Sequence, residues 1–434
     1  MNISIIGTGY VGLVSGVGFA SKGHDVTCVD IIEEKVKMIN QGKPPIYEKG
    51  LDDLLKEVVE EGRLTATTDT VEAIKKSDIT FICVGTPSRE DGSIDTSGIE
   101  KAAKDIREAL DQKDAYHVVC VKSTVVPGTT DQKVLSILEQ SGKKVGEDFG
   151  LGMNPEFLRE GVALDDFLKP DRIVIGGWDE RCIKTIKECY EGFEAPKLET
   201  NIRTAEMIKY ASNALLATKI SFANEMSRIA EKMGVDVYDV MDGVGLDHRI
   251  NRDFLNAGCG FGGSCFPKDV KAILDQAEKH GVDSKILKAV LDVNETQPIH
   301  TVELLEENIG DLEGKHIAVL GLAFKGGTDD IRETRALPIV NELLDKGADV
   351  VGYDPEAIGN FSELVADMKF ADDIEEALTG ADACIIQNDW PELKTLSSKD
   401  FEPMNNKIIL DARRLLEHEE LDDDIEYIGI GLGK

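Results

Sequence analysis

Ile3-Ser-Ile-Ile-Gly7-Thr-Gly-Tyr-Val-Gly12 is a short apolar run closed by a GxGxxG turn. An apolar strand that enters such a turn and opens a helix is the first βα unit of a dinucleotide-binding sheet. Gly7 permits the tight turn, Gly9 lets the backbone approach a pyrophosphate, and Gly12 lets the helix pack against the strand. The free N–H groups and positive dipole at the helix start, around Tyr10 and Val11, suit phosphates. The next apolar run, Val26–Val29, ends at Asp30. A carboxylate there can accept from a ribose 2′-hydroxyl and would repel a 2′-phosphate, which predicts NAD rather than NADP.

Outward from that unit, apolar runs at Ile79–Val84 and Val118–Val121 alternate with amphipathic segments such as Lys35–Asn40 and Lys101–Leu110. The alternation predicts βαβ units and a parallel sheet covered on both faces. Residues 203 to 233 carry helical periodicity without Pro or Gly and stop at Gly234, and further helical pattern follows at Val270–His280 and Ser284–Asn308. Near Lys315 the alternation returns and echoes the start. His316-Ile-Ala-Val-Leu-Gly321 matches Ile3–Gly7, Val350-Val-Gly-Tyr-Asp354 matches Val26–Asp30, and Ala383-Cys-Ile-Ile-Gln387 matches Phe81–Gly85. The expected fold class is α/β, with two Rossmann-like parallel-sheet domains joined by a central helical domain that contains a long helix. The expected domains are 1–200 for the cofactor, 201–300 for the helical dimerisation part, and 301–434 for a second ligand. Gly321-Leu-Ala-Phe-Lys325 lacks the second and third glycines, so a nucleoside diphosphate near Lys325 fits it better than a dinucleotide.

With 41% hydrophobic and 30% charged residues over 434 positions, the chain reads as an ordinary globular protein of more than one domain. Its net charge of −33 disfavours nucleic acid and anionic lipid as partners. An anionic substrate would need cations gathered locally against that field. No uncharged apolar run reaches the roughly 18 residues of a membrane helix, and the start has no basic, cleavable leader, so a cytoplasmic location is expected. The eight cysteines form no CxxC pair and no His-rich spacing accompanies them, so no metal is expected.

Cys28, Cys83, Cys120 and Cys384 sit inside apolar runs, as buried thiols do, whereas Cys265 stands in Gly260-Phe-Gly-Gly-Ser-Cys-Phe-Pro-Lys-Asp269. The glycines make a loop that can approach a ligand, and Pro267 suits the first turn of a helix. A cysteine just before a helix N-terminus is biased toward thiolate. Beside a hydride acceptor, a thiolate can attack an aldehyde to give a thiohemiacetal, which oxidation turns into a thioester and water into an acid.

Together with that loop and the Gly7–Gly12 turn, five further segments resemble the UDP-glucose/GDP-mannose dehydrogenase family along essentially the whole chain. They are Cys83-Val-Gly-Thr-Pro87, Lys122-Ser-Thr-Val125, Asn154-Pro-Glu-Phe-Leu-Arg-Glu-Gly161, Lys209-Tyr-Ala-Ser-Asn213, and Ala323-Phe-Lys325 with Asp330-Ile-Arg332. The resemblance implies that Cys265 is the nucleophile, that Lys209 helps remove the hydroxyl proton, and that Lys209 and Asn213 stabilise oxyanions. It implies that Asp269 orients and helps activate water, that Glu156 serves thioester hydrolysis, and that Thr124 holds a catalytic water. Cofactor contacts are implied for Lys35, Thr86, Thr124, Glu160, Lys268 and Arg332, beside Gly7, Gly9, Tyr10, Val11, Gly12 and Asp30. Substrate contacts are implied for Glu156, Phe157, Leu158, Lys209 and Asn213, and for the diphosphate cradle Phe254, Leu255, Asn256, Ala257 and Gly258. They are implied also for Gly262, Phe324, Lys325 and Arg413, and for Arg249, which would reach the substrate of the neighbouring subunit of a homodimer. Two departures are the stretch Ser123-Thr-Val-Val-Pro-Gly128, whose proline falls one position later than in the commoner form, and Cys259, an unusual residue just before the glycine loop.

Within the family, the chain looks most like members that oxidise UDP-glucose to UDP-glucuronate, using two hydride transfers to NAD and a Cys265 thioester. GDP-mannose or a UDP-N-acetylhexosamine is the alternative substrate, because the residues for chemistry are shared. A non-catalytic nucleotide-sugar-binding protein is the alternative of a different class, and it would be expected to lose Cys265, Lys209 or Asp269.

Overall fold

The computed structural model describes residues 1–433; Lys434, the last residue of the expected third segment, lies outside them. The chain divides into two compact units, Met1–Ser212 and Asn213–Lys434.

The first unit is built on eight strands. They are β1 (Asn2–Ile6), β2 (Asp25–Val29), β3 (Leu64–Thr67), β4 (Ile79–Ile82), β5 (His117–Val121), β6 (Phe149–Met153), β7 (Ile173–Gly177) and β8 (Lys197–Thr200). Their order in the sheet is β3-β2-β1-β4-β5-β6-β7-β8. Pairing is parallel from β3 across to β6, as the alternating sequence predicts, but β7 runs antiparallel to β6 and β8 is parallel to β7. Helices such as Tyr10–Ser21 and Ser97–Asp111 cover the faces, so β4 and β5 are buried at every position. Phe19 anchors an aromatic cluster in this core, 5.3 Å from the Phe81 ring and 5.1 Å from both Phe167 and Tyr190.

The second unit carries a six-stranded parallel sheet of β9 (His316–Leu320), β10 (Asp349–Tyr353), β11 (Lys369–Phe370), β12 (Ala383–Ile386), β13 (Ile408–Asp411) and β14 (Glu426–Gly429). Its order, β11-β10-β9-β12-β13-β14, repeats that of the first six strands of the other sheet. The internal echo of the sequence is thereby explained, because β9, β10 and β12 hold the sheet positions of β1, β2 and β4.

The long helix spans Ile202–Met233, one residue earlier than its periodicity predicts. The other two predicted helices run over Phe266–Lys279 and Lys285–Ile309, the latter with Pro298 in its interior. A short helix at Val237–Gly245, capped by Asp236, was not anticipated. Among the described residues, no helix is long and apolar enough to cross a membrane.

A side-chain carbon at Gly18 would stand 2.2 Å from the Phe167 ring. Gly18→Ala should therefore lower stability by about 1–3 kcal/mol through overpacking. Chemical unfolding checks this, and an unchanged midpoint would show that the aromatic cluster yields freely.

Candidate active site

In the first unit, Gly7 turns with φ +97° at the end of β1, and its N–H donates to the Val29 carbonyl at 2.8 Å. A side-chain carbon at Gly12 would stand 1.8 Å from the Gly7 carbonyl oxygen, so the helix can follow the turn this closely only with glycine there. Gly9 is exposed and has open space around it, and the helix Tyr10–Ser21 has no side-chain cap on its first N–H groups. That arrangement fits a pyrophosphate.

Asp30 follows β2 and is half-buried. Its Oδ2 accepts from the Thr8 N–H at 3.0 Å and the Thr8 hydroxyl at 2.5 Å, and its Oδ1 accepts from the Ile32 N–H. Burial raises its carboxyl, but these donors and the nearby Lys35 outweigh that and hold it below its ordinary value. Lys35 and Asp30 thus share one neighbourhood. The Tyr10 hydroxyl donates to the Tyr47 carbonyl, and Val11 is half-buried on the same turn.

Thr86 and Thr124 are brought together, the Thr86 hydroxyl donating to the Thr124 carbonyl at 2.9 Å. Nearby, Lys209 pairs with Glu156 at 3.0 Å, both nearly inaccessible. Glu156 also accepts from the Leu158 N–H, and the Lys209 ammonium lies 5.5 Å from the Phe157 ring centre. Burial pushes the Glu156 carboxyl up, yet Lys209, the Leu158 N–H and Lys122 together hold it below its ordinary value. Glu160 is half-buried beside Gly161.

Lys122 and Asn154, which open two of the family segments, and Glu48 are buried polar residues that carry no role in the sequence reading. Lys122 is 3% exposed and donates to Asn154 at 2.9 Å; burial lowers its ammonium, partly offset by Cys83 and Glu156. Asn154 also donates to the Val174 carbonyl. Glu48 accepts from the Gly161 and Ala163 N–H groups at 2.9 and 2.7 Å, and so secures the end of the Glu156–Gly161 segment. A lysine that ends the apolar run Val118–Val121 was the available signal for the first of them; Glu48 gave none, because its partners are more than a hundred residues away.

In the second unit, Cys265 is the N-cap of the helix Phe266–Lys279, with Pro267 in its first turn, and is exposed. The other seven cysteines are buried. One turn on, buried Asp269 accepts from Asn213 at 2.6 Å through Oδ2 and pairs with Lys268 at 2.5 Å through Oδ1. The glycine loop before Cys265 is held by buried amides. Asn294 both accepts from the Phe261 N–H and donates to its carbonyl, Asn224 accepts from the Gly258 N–H, and Gln297 donates to the Gly258 carbonyl. A side-chain carbon at Gly262 would stand 2.3 Å from the Glu333 carbonyl oxygen, and one at Gly263 2.7 Å from the Phe324 ring.

The same unit gathers several predicted substrate residues. Arg413 lies against Gly258, and its guanidinium is 3.8 Å from Asp389. Phe254, at φ +64°, meets Phe266 edge to face, and Lys325 lies over Phe324. Leu255 and Ala257 are buried, and Asn256 is exposed between them. The Arg332 carbonyl accepts from the Gly263 N–H at 2.9 Å, which ties it to the glycine loop, and its guanidinium pairs with Asp330; the Arg249 guanidinium pairs with Asp247.

The chain matches three successive parts of the UDP-glucose/GDP-mannose dehydrogenase family, the NAD binding domain over residues 1–194, the central domain over 203–296 and the UDP binding domain over 318–418. It is 47% identical to a UDP-glucose 6-dehydrogenase of Haloferax volcanii, over 97% of this chain and 98% of that relative. A solved UDP-glucose dehydrogenase of Pyrobaculum islandicum superposes with a TM-score of 0.92 at 43% identity, covering 99% of this chain and 97% of that one. A UDP-D-ManNAc dehydrogenase of Pyrococcus horikoshii superposes with 0.87 at 34% identity, covering 99% of both chains.

The buried Lys209–Glu156 pair makes a measurable statement. Lys209→Met alone should cost about 3–5 kcal/mol, because it leaves a buried carboxylate without its cation. Adding Glu156→Gln should recover most of that loss. Because the Glu156 carboxyl is held low, the stability it contributes is present above its ordinary value of 4.5 and fades as pH falls through the lower folded value. Unfolding at a series of acid pH values should show this slope in the wild type and a smaller one in the double variant.

Proposed function

Because the chain belongs to the UDP-glucose/GDP-mannose dehydrogenase family, we propose that it oxidises UDP-glucose to UDP-glucuronate in two NAD-dependent steps at C6, through a thioester on Cys265. Cys265 carries this reading, as the exposed thiol at the N-terminus of a helix, where the dipole favours thiolate. A simple alcohol oxidation would not need such a nucleophile.

Two NAD molecules, held in turn at the Gly7–Gly12 turn with NADH leaving between them, would supply one hydride acceptor for each oxidation. Lys209, in its neutral amine form, takes the proton of the C6 hydroxyl as the first hydride leaves, giving the aldehyde and the ammonium that pairs with Glu156. The Cys265 thiolate attacks the aldehyde carbon, a C–S bond forms, and the oxygen gains a proton to give the thiohemiacetal. Lys209 and Asn213 steady the oxygen as charge develops on it. Loss of a second hydride and of the hydroxyl proton leaves the thioester. Thr124 holds the attacking water, and Glu156 and Asp269 assist its deprotonation. The C–S bond then breaks, the sulfur leaves as thiolate, and the product is the carboxylate.

UDP-glucose is preferred over an N-acetylated sugar because the relatives named for UDP-glucose are 47% and 43% identical, against 34% for the UDP-D-ManNAc enzyme. Phe254–Gly258, Gly262, Phe324, Lys325 and Arg413 would hold the nucleotide sugar. Asp30, Lys35, Thr86, Glu160, Lys268 and Arg332 would serve the cofactor.

The working form in this reading is a homodimer. Leu215, Phe222 and Ile229 repeat every seven residues along the long helix and are 63%, 46% and 45% exposed, a stripe that pairing with a second copy would cover. Arg249, 77% exposed, would reach the neighbouring subunit's substrate. The three-part organisation at 1–200, 201–300 and 301–434 and a cytoplasmic location complete the proposal.

With excess NAD, purified protein should form two NADH per UDP-glucose consumed, and Cys265→Ser should nearly abolish acid production. A yield of one NADH would end the thioester reading. No NADH from UDP-glucose, with turnover of GDP-mannose or an N-acetylated sugar, would transfer the mechanism to that substrate.

A further inference from the structure

Glu206 takes no part in the chemistry above, yet it is fully buried, and among the described residues no cation is paired to it. It lies in the second turn of the helix Ile202–Met233, three residues before Lys209. Each of its carboxylate oxygens accepts one backbone N–H from a distant segment, Oε2 from Gly128 at 2.7 Å and Oε1 from Thr130 at 2.9 Å. Gly128 has φ +97°, and the chain leaves it in a widened π-helical turn, Thr129–Val134. Such turns are rare and survive where surrounding contacts hold them.

The segment just before this turn is Ser123–Pro127, which contains Thr124. Its other end is fixed to the segment that follows β4, where the Ser123 hydroxyl donates to the Val84 carbonyl at 2.7 Å and the Thr86 hydroxyl to the Thr124 carbonyl at 2.9 Å. Thr124 therefore sits in a short loop with two anchors, one on the β4 side and one at Glu206. A buried carboxylate is an expensive anchor. Burial pushes the Glu206 carboxyl up to about 7, with nearby Asp131 adding to the rise and the Thr130 and Gly128 donors opposing it. An apolar side chain would fill the space without that cost, but it could not take up the two N–H groups.

We propose that Glu206 is a positioning residue, which fixes the Ser123–Gly128 loop, and Thr124 with it, to the helical turn that carries Lys209. The helix spacing of three residues places both side chains on neighbouring positions of one face. The anchor thus relates the residue proposed to hold water to the residue proposed to handle the hydroxyl proton. The inference rests on the roles given to Thr124 and Lys209 under the proposed function.

Two variants of the full chain test it. Glu206→Gln keeps the volume and turns an N–H₂ group toward one of the two donors. Gly128→Ala leaves Glu206 in place and strains the turn it grips. Hydrogen exchange measured over residues 123–134 and kcat per folded chain with NAD and UDP-glucose are the readouts. Both variants should speed exchange in that segment and lower kcat by on the order of 100-fold, the scale of a misplaced catalytic group, with KM for UDP-glucose within about twofold of wild type. A role confined to stability would reduce the folded fraction and leave kcat per folded chain unchanged, and that result overturns the proposal. Wild-type exchange over 123–134 in either variant also overturns it. If Glu206→Gln does not fold, Gly128→Ala decides alone. Failure of the thioester reading is recognised separately, because it appears in the NADH yield of the wild type and leaves the exchange measurement untouched.

Discussion

A left-handed glycine closing the leading strand, bonded back to the neighbouring strand and followed by a carboxylate, is the constraint on which both sheets are organised. Gly7 donates to the Val29 carbonyl and Gly321 to the Tyr353 carbonyl, each at 2.8 Å, with φ of +97° and +94°. The two turns diverge in how the acid is used. Asp30 shares its oxygens among Thr8 and Ile32 and stays half-buried. Asp354 is 1% exposed and accepts from Leu322, Ala323, Glu356, Ala357 and the Trp390 indole. With its lone pairs committed inward, Asp354 cannot grip a ribose hydroxyl. The same frame therefore leaves its acid partly open in the first sheet and fully enclosed in the second.

Charge is handled locally against the general field. The chain carries −33, yet Lys122 and Lys209 are both buried around one carboxylate, Glu156. A buried cation is tolerated only with partners, and these two have Asn154, Tyr190 and Glu156. The cost of placing them there falls on the fold. The return is a buried carboxylate, Glu156, that is held ionised.

Features set by short-range pattern were legible in the sequence. The glycine turn, the long helix to within one residue, the Cys265 cap and the second sheet all follow from neighbours a few positions apart. The reversal of β7 was not legible, because an apolar run such as Ile173–Gly177 does not declare its direction. The amides that shape the Cys265 loop escaped notice for a similar reason. Asn294 and Gln297 lie in an otherwise ordinary helical pattern, and their partners at Phe261 and Gly258 are more than thirty residues away. The residues proposed for catalysis were found through a shared motif order, whereas Glu48 and Glu206 act on backbone N–H groups, which leave no trace in side-chain patterns.

Seven of the eight thiols lie in the interior, and burial raises each of them above the ordinary range. Only Cys265 faces solvent. An alkylating reagent therefore meets a single reactive sulfur on a folded chain and all eight on an unfolded one. The mass added per chain is a direct gauge of the folded fraction, and the molecule needs no engineered label to report its own integrity.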